Sequence, residues 1–324
     1  MRLRTRLTEL LGIAHPILSA PMAFAAGGKL AAAVTAGGGL GLIGGGYGDA
    51  DWLAREFAAA GNTRVGCGFI TWSLAGKPEI LDAALTHAPT AVMLSFGDPA
   101  PFAQAVKAAG SLLICQVQTL ALARVALDAG ADILVAQGTE AGGHGGNRAT
   151  LTLVPEIADL LARRSSAALL VAAGGIADGR GLAAALMLGA DGVLVGSRFW
   201  ASSEALVHPN HHKAALAATG DDTIRQTATD IARLYPWPEA FSGRVLKNAF
   251  THRWHGREAE LRAQAETLSP AYIASVAAGD ADNVGVWVGE ATGLIQAIVP
   301  AADIITGMVG QATQLLRRGA GLVV

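Results

Sequence analysis

The chain has 324 residues, 52% of them apolar and 15% charged, with a formal net charge of −2. Such a length suits one large core, and a mean hydropathy of +0.39 excludes a disordered chain. The charge leaves no basic footprint for nucleic acid and no polybasic cluster for an anionic membrane. Glycine is abundant, at 41 residues. It follows no strict period, so the glycines read as tight turns rather than collagen.

At the N-terminus, Arg2, Arg4 and Arg6 precede a short apolar stretch that Glu9 interrupts. No small-residue cleavage site follows, so the segment does not read as an export signal. Continuous apolar runs at 16–21, 39–44, 64–70 and 91–96 predict four strands, and those at 112–117, 133–137, 168–173 and 192–196 predict four more. Unbroken apolar strands are those buried on both faces. Between them, 30–36, 52–60, 79–86, 101–109, 120–129, 154–163 and 179–188 predict helices. Strand and helix alternating at this interval is the pattern of parallel βαβ units. An open doubly wound sheet would look similar, but eight strands favour a closed (β/α)8 TIM barrel. Cys67 and Cys115 lie inside apolar runs and read as buried thiols of a reducing, cytoplasmic compartment.

Two αβ junctions nearly repeat, ALDAGADILV at 126–135 and ALMLGADGVLV at 185–195. Each places a Gly where a helix ends in the left-handed conformation. Residues 1–200 are thus the barrel core. Residues 201–280 are more polar, hold five of the eight His, and read as a helical insertion or lid over the mouth. Residues 281–324 read as C-terminal helices closing the outer ring. The apolar stretch at 285–309 contains Glu290, Pro300 and Asp303, which suits a buried helical segment better than a membrane span.

Two Gly-containing turns follow the seventh and eighth strands: Ala172-Ala173-Gly174-Gly175-Ile176 and Gly196-Ser197-Arg198-Phe199. Many barrels bind a phosphate there through backbone N–H groups. Glycine lets the backbone approach the phosphate oxygens. No dinucleotide fingerprint stands near the start of the chain. After the sixth strand comes QGTEAGGHGG, at 137–146. A His framed by glycines at a barrel mouth has little packing of its own and is placed to face a ligand. It can take a proton near neutral pH or, charged, hold an anion. Gln137 carries an amide that suits a flavin edge. Glu140 reads as a cap. His208, His211 and His212 sit at helical spacing without a carboxylate in phase, so they read as a solvated helix start and no metal site is expected. Met22 suits either the core or a flat ring system.

With those residues in place, the chain resembles the nitronate monooxygenases, formerly 2-nitropropane dioxygenases. The resemblance rests on PILSAPMA, SFGDP, QGTEAGGHGG, AAGGIADGRG, VLVGSRF, SGRVLKNAFTHRWHG and GVWVGEATGLI, which together span nearly the whole sequence. It implies an FMN-dependent (β/α)8 barrel that oxidises alkyl nitronates with O2 to a carbonyl compound and nitrite. By the same resemblance, Ala20, Pro21 and Met22 line the isoalloxazine, and Gln137 and Gly142 contact the flavin. Gly174, Gly175, Gly196 and Ser197 hold the phosphate, and His144 is the catalytic base or the nitronate's anchor. One departure stands out. Many relatives carry an Asn in the third-strand turn, whereas Val65–Trp72 offers no side-chain amide. Related barrels host FMN-dependent NAD(P)H reductases of the enoyl-ACP or quinone type, which is the alternative activity. A non-catalytic phosphate-ligand binder is the alternative of another class. The sequence leaves the physiological substrate and any homo-oligomer open.

Overall fold

The computed structural model describes residues 2–322. After a short helix α1 (Arg6–Leu11), the chain alternates through β1 (Ile17–Ser19), α2 (Gly28–Ala36), β2 (Leu42–Gly46), α3 (Ala50–Ala60) and β3 (Gly66–Ile70). It continues with α4 (Thr71–Leu74), α5 (Glu79–Leu85), β4 (Ala91–Ser95), α6 (Ala100–Ala108), β5 (Leu112–Val117), α7 (Leu120–Asp128) and β6 (Ile133–Gln137). The short strand β7 (Gly143–Gly145) precedes α8 (Thr150–Arg163), β8 (Leu169–Ala173), α9 (Gly179–Met187), β9 (Gly192–Val195) and α10 (Ser197–Trp200).

Eight parallel strands run in the order β1-β9-β8-β6-β5-β4-β3-β2. The remaining seam is joined where Leu18 bridges Leu40, so the sheet closes into a (β/α)8 barrel. Side chains alternate across each strand and make two cores. Leu18, Leu42, Met93, Ile114, Val135, Val171 and Leu194 fill the interior. Ile43, Cys67, Val92, Leu134 and Leu170 face the helices. Fully buried strands therefore need no polar face, which is why the runs read as continuously apolar. Helix α1 adds Leu7 and Leu11 to the interior core, and Arg6 pins the helix to Asp191 with two bonds of 2.8 Å.

Beyond α10 the chain forms α11 (Pro209–Ala217), β10 (Thr223–Gln226), α12 (Ala228–Ala232), β11 (Ser242–Leu246), α13 (Ala249–Trp254) and α14 (Glu258–Ala277). This region is not the all-helical lid that its polarity suggests. β10 and β11 pair antiparallel, and β11 pairs in turn with β7, which comes from the barrel loop after β6. Residues 284–288 form no helix, and Val284, Val286 and Val288 are fully buried. The last helix, α15 (Ala301–Ala320), packs against α9 and α2 and completes the outer ring. Pro300 stands at its N-cap and sets its start. Among the described residues, no helix is long and apolar enough to cross a membrane.

Candidate active site

A cavity of about 490 Å³ opens at the C-terminal ends of the barrel strands. The barrel contributes Pro21, Met22, Ser95, Gln116, Gly175 and Gly196 to its wall. The region beyond residue 200 contributes Arg233, Trp237, Tyr272 and Trp287. All nine cofactor-site residues expected from the sequence (Ala20, Pro21, Met22, Gln137, Gly142, Gly174, Gly175, Gly196 and Ser197) line it, as does His144.

The glycines divide into two kinds. A Cβ on Gly142 would lie 2.5 Å from the Gly289 nitrogen, and one on Gly174 would lie 2.8 Å from Thr150 Oγ1. These two glycines let neighbouring turns pack. A Cβ on Gly196 would meet nothing closer than Ala20 Cβ at 3.7 Å and Met22 Sδ at 4.0 Å, so it would project into the cavity. At Gly175 the nearest atom is Glu140 Cβ, at 3.4 Å. Among the described residues, the N–H groups of Gly175, Ile176, Ser197 and Arg198 have no acceptor in the protein. Ser197 Oγ accepts from the Gly289 N–H at 2.9 Å, which leaves its own proton free to donate. One end of the cavity is thus a set of unmet backbone N–H donors beside two glycines, and it could hold a phosphate. Glu140 caps α8, accepting from Thr150 N and Oγ1.

The other end carries Pro21 and Met22 beside the polar Ser95, Gln116 and Gln137. Gly68 leaves room for Pro21, whose Cγ would lie 2.4 Å from an added Cβ. Gln137 lines this end, but its amide is engaged: Nε2 donates to the His144 carbonyl, and Oε1 accepts from Gln118. Gln116 and Ser95 also line it, are buried, and have side chains without protein partners. Sequence reasoning missed Gln116, because a Gln inside an apolar strand gives no sign of which way it points.

His144 lies in β7, with its side chain only 9% exposed. Its glycine-rich surroundings in sequence suggest sparse packing, and the structure shows the opposite. The imidazole stacks on Trp237 with ring centroids 3.4 Å apart and 4° between planes. Trp287 and Phe96 also approach it. Its Nε2 bonds the Asp230 carboxylate at 2.8 Å. A carboxylate accepts, so Nε2 carries the proton, and in the neutral ring Nδ1 keeps the lone pair. Burial pushes the His144 pKa below its ordinary value, against the raising effect of the bond to Asp230. A neutral imidazole in a fixed tautomer is what a base near neutral pH requires.

Two arginines fasten the His144 strand to the rest. Arg225 donates to the carbonyls of Thr139, Gly145 and Ser242, and Arg244 donates to the Thr139 carbonyl and pairs with Glu290 at 2.8 Å. Burial, and then the neighbouring charge of Arg244, pushes the Arg225 pKa down to about 10. Trp237 is held in turn, since its Nε1 donates to Tyr47 Oη at 3.0 Å. Asp230, Trp237, Arg225 and Arg244 were all missed in the sequence. No motif marks them, and their partners lie 86 residues or more away in the chain for Asp230–His144 and Arg225–Thr139.

Of the remaining candidates, His208 and His211 also line the cavity and His212 does not. His208 caps α11 by accepting from the Asn210 N–H, and His212 Nε2 bonds the Trp200 carbonyl. Among the described residues, no cluster of His, Cys, Asp and Glu is arranged to hold a metal. Cys67 and Cys115 are buried thiols, each pushed up to about 12 by desolvation, and so are poor nucleophiles.

Comparison with known proteins places these features. The family described as nitronate monooxygenase matches residues 4–64 and 73–311. Nitronate monooxygenase npaC of Metarhizium robertsii is 35% identical over 93% of this chain and 91% of its own length. FabK from Thermotoga maritima superposes with a TM-score of 0.87 at 34% identity, covering 99% of this chain and all of that one. A nitroalkane oxidase from Streptomyces ansochromogenes superposes with a TM-score of 0.79 at 27% identity, covering 97% and 99%.

Proposed function

This chain belongs to the nitronate monooxygenase family of oxidoreductases, and on that premise we propose that it binds FMN and oxidises alkyl nitronates with O2. The observation that carries the reading is the joining of two half-sites in one cavity. A cradle of unmet backbone N–H donors and the buried His144, bonded to the Asp230 carboxylate, meet in the wall of that cavity.

The residues fit FMN. Gly175, Ile176, Gly196 and Ser197 would hold the phosphate, and a Cβ at Gly196 would enter that space. Pro21, Met22 and Gly68 would face the ring, with the free amide of Gln116 and the Ser95 hydroxyl at its polar edge. FMN rather than FAD suits a chain with a single phosphate cradle and no fingerprint for an adenosine half. When bound, FMN supplies the two-electron carrier between substrate and O2.

His144 and its neighbours supply orientation and proton handling. Asp230 fixes the ring and its tautomer, leaving Nδ1 as acceptor for the α-proton of a neutral nitroalkane. Trp237 covers one face of the imidazole and keeps water from it. The nitronate formed is already deprotonated, so its oxidation needs His144 less. Overall, each pair of nitronates and one O2 give a pair of carbonyls and a pair of nitrites, which balances atoms and charge. The test is a visible spectrum of the purified protein, chromatography of the released cofactor, and nitrite release from a nitronate. A colourless protein, or FAD in the extract, overturns the FMN assignment. A yellow protein without nitrite release overturns the reaction.

A second reading is an NAD(P)H-dependent reductase on the same scaffold. The size of the cavity favours it, since Leu206, His208 and Val276 also belong to its wall. Anaerobic mixing with NADH or NADPH separates the two, because rapid bleaching of the flavin belongs to the reductase alone.

A further inference from the structure

Arg233 is the only Lys or Arg in the cavity wall among the described residues. It follows α12 as its C-cap, three residues beyond Asp230. Among the described residues, its guanidinium has no hydrogen-bond or ion-pair partner. The other interior arginines differ. Arg225 and Arg244 are engaged with carbonyls and Glu290, and Arg198 donates to the Ala201 and Ala297 carbonyls. The contacts of Arg233 are aromatic. Its Cζ lies 4.4 Å from the centroid of Tyr235, 5.7 Å from Tyr47 and 5.8 Å from Trp287. Aromatic faces satisfy the plane of a guanidinium and leave its N–H edge free. Trp287 is shared: its ring centroid is 5.1 Å from that of His144. The free cation and the imidazole therefore flank one indole.

We propose that Arg233 is the anion receptor of this cavity, taking the planar two-oxygen anionic group of the substrate. The proposal rests on the nitronate reading and gives it a specificity residue. The argument is one of charge. A nitronate is an anion, and the cavity already holds the Asp230 carboxylate behind a neutral imidazole. An anion approaching that pair meets a like charge in a partly desolvated site, which costs binding unless a cation compensates. Among the described residues Arg233 is the one Lys or Arg in the wall, and its fork matches two coplanar oxygens with two parallel hydrogen bonds. The competing role is structural. Asp230 Oδ1 is buried without a partner, and Arg233 could turn to pair with it.

The test uses the holoenzyme and its Arg233→Met and Arg233→Lys variants. Nitrate and benzoate serve as planar anions that are not turned over. Their affinity is read by calorimetry and as competitive inhibition against propyl-2-nitronate. Methionine keeps much of the stem and removes the charge. Loss of charge-assisted hydrogen bonds should weaken both anions by about 10- to 100-fold. The KM for the nitronate should rise by a similar factor with a smaller change in kcat, and lysine should restore part of each. The flavin content should not change. Unchanged anion affinity in Arg233→Met overturns the proposal, and a lower Tm with that unchanged affinity assigns Arg233 to the Asp230 pairing instead. If Arg233→Met does not fold, Arg233→Lys decides, because the point-charge lysine should bind both anions more weakly than arginine. If no nitronate is oxidised at all, calorimetry with nitrate still judges the receptor apart from the reaction.

Discussion

The barrel and the region beyond residue 200 are built by opposite means, and the contrast explains how the site is divided. In the barrel, each strand is buried on both faces and each helix packs locally on its own strands. The result is a rigid frame whose turns can be stripped to glycine where a ligand must approach. The later region is a set of short elements that gain order from the barrel loops. Its sheet is incomplete without β7, and its buried arginines bond carbonyls of the 139–145 loop. The barrel therefore holds the cradle, and the later region determines what His144 can do.

The largest expected effect joins the two regions at His144. Asn in its place keeps a hydrogen-bonding group but cannot take a proton near neutral pH. His144→Asn should retain flavin and lose about 10²–10⁴-fold in kcat/KM on a neutral nitroalkane. Oxidation of the preformed nitronate should fall much less. Comparing kcat/KM for the two substrates at matched flavin content checks this, and equal losses would remove the base role.

A substitution on the barrel side should affect the cofactor and spare the chemistry. Gly175→Asp puts a carboxylate into the cradle, but Gly175 has φ +72°, so backbone strain confounds the result. Gly196 has φ −100° and ordinary space for a Cβ, which makes Gly196→Val the cleaner test. It should weaken flavin binding by about 10- to 100-fold, the size of a 1–3 kcal/mol overpacking cost. The Tm of the flavin-free protein should move little. Equal flavin affinity in variant and wild type, measured by fluorescence titration, would put the phosphate elsewhere.

The same contrast governs what could be read from the sequence. All eight barrel strands were legible to within a few residues, since a continuous apolar run bounded by Gly has few other uses. The cradle was legible because Gly174–Gly175 and Gly196–Ser197 follow consecutive strands. His144 was legible as a residue of the barrel mouth but not as a buried one. The side chains around it, Trp237, Trp287 and Asp230, arrive from far along the chain. Strands β10 and β11 were illegible for a related reason: TIRQ and SGRVL are short, partly polar and paired to a glycine segment. Nothing in the sequence singles out Arg225 and Arg244, and only the topology reveals them as donors to buried carbonyls.

Asp230 tests whether the later region does more than cover the mouth. In Asp230→Asn the amide can donate to Nε2, which would move the imidazole proton to Nδ1 and block its basic lone pair. The expected loss in kcat/KM on a nitroalkane is about 10- to 100-fold, up to but not beyond the smallest effect of a positioned base, about 10²-fold. The double variant with His144→Asn should be scarcely slower than His144→Asn alone, because Asp230 acts through that ring. Additive losses would mean that Asp230 has a separate task.

The smallest effect lies in the pH profile, and it isolates the coupling between the regions. Burial holds the His144 pKa below its ordinary 6.5, while Asp230 pulls it upward. The neutral ring therefore persists into mildly acidic solution, and the acid limb of kcat/KM for a nitroalkane should have its midpoint below 6.5. Removing the Asp230 charge removes an upward pull, so in Asp230→Asn the midpoint should shift to still lower pH as the plateau falls. The same shift has a stability sign. Between the folded and unfolded values, the unfolded chain binds more protons. His144 therefore contributes stability above 6.5 that is lost as pH falls through its folded value. Chemical denaturation at a series of pH values should show this decline in the wild type and a flatter profile in His144→Asn. An acid-limb midpoint that stays fixed in Asp230→Asn would mean that the carboxylate orients the ring without setting its charge.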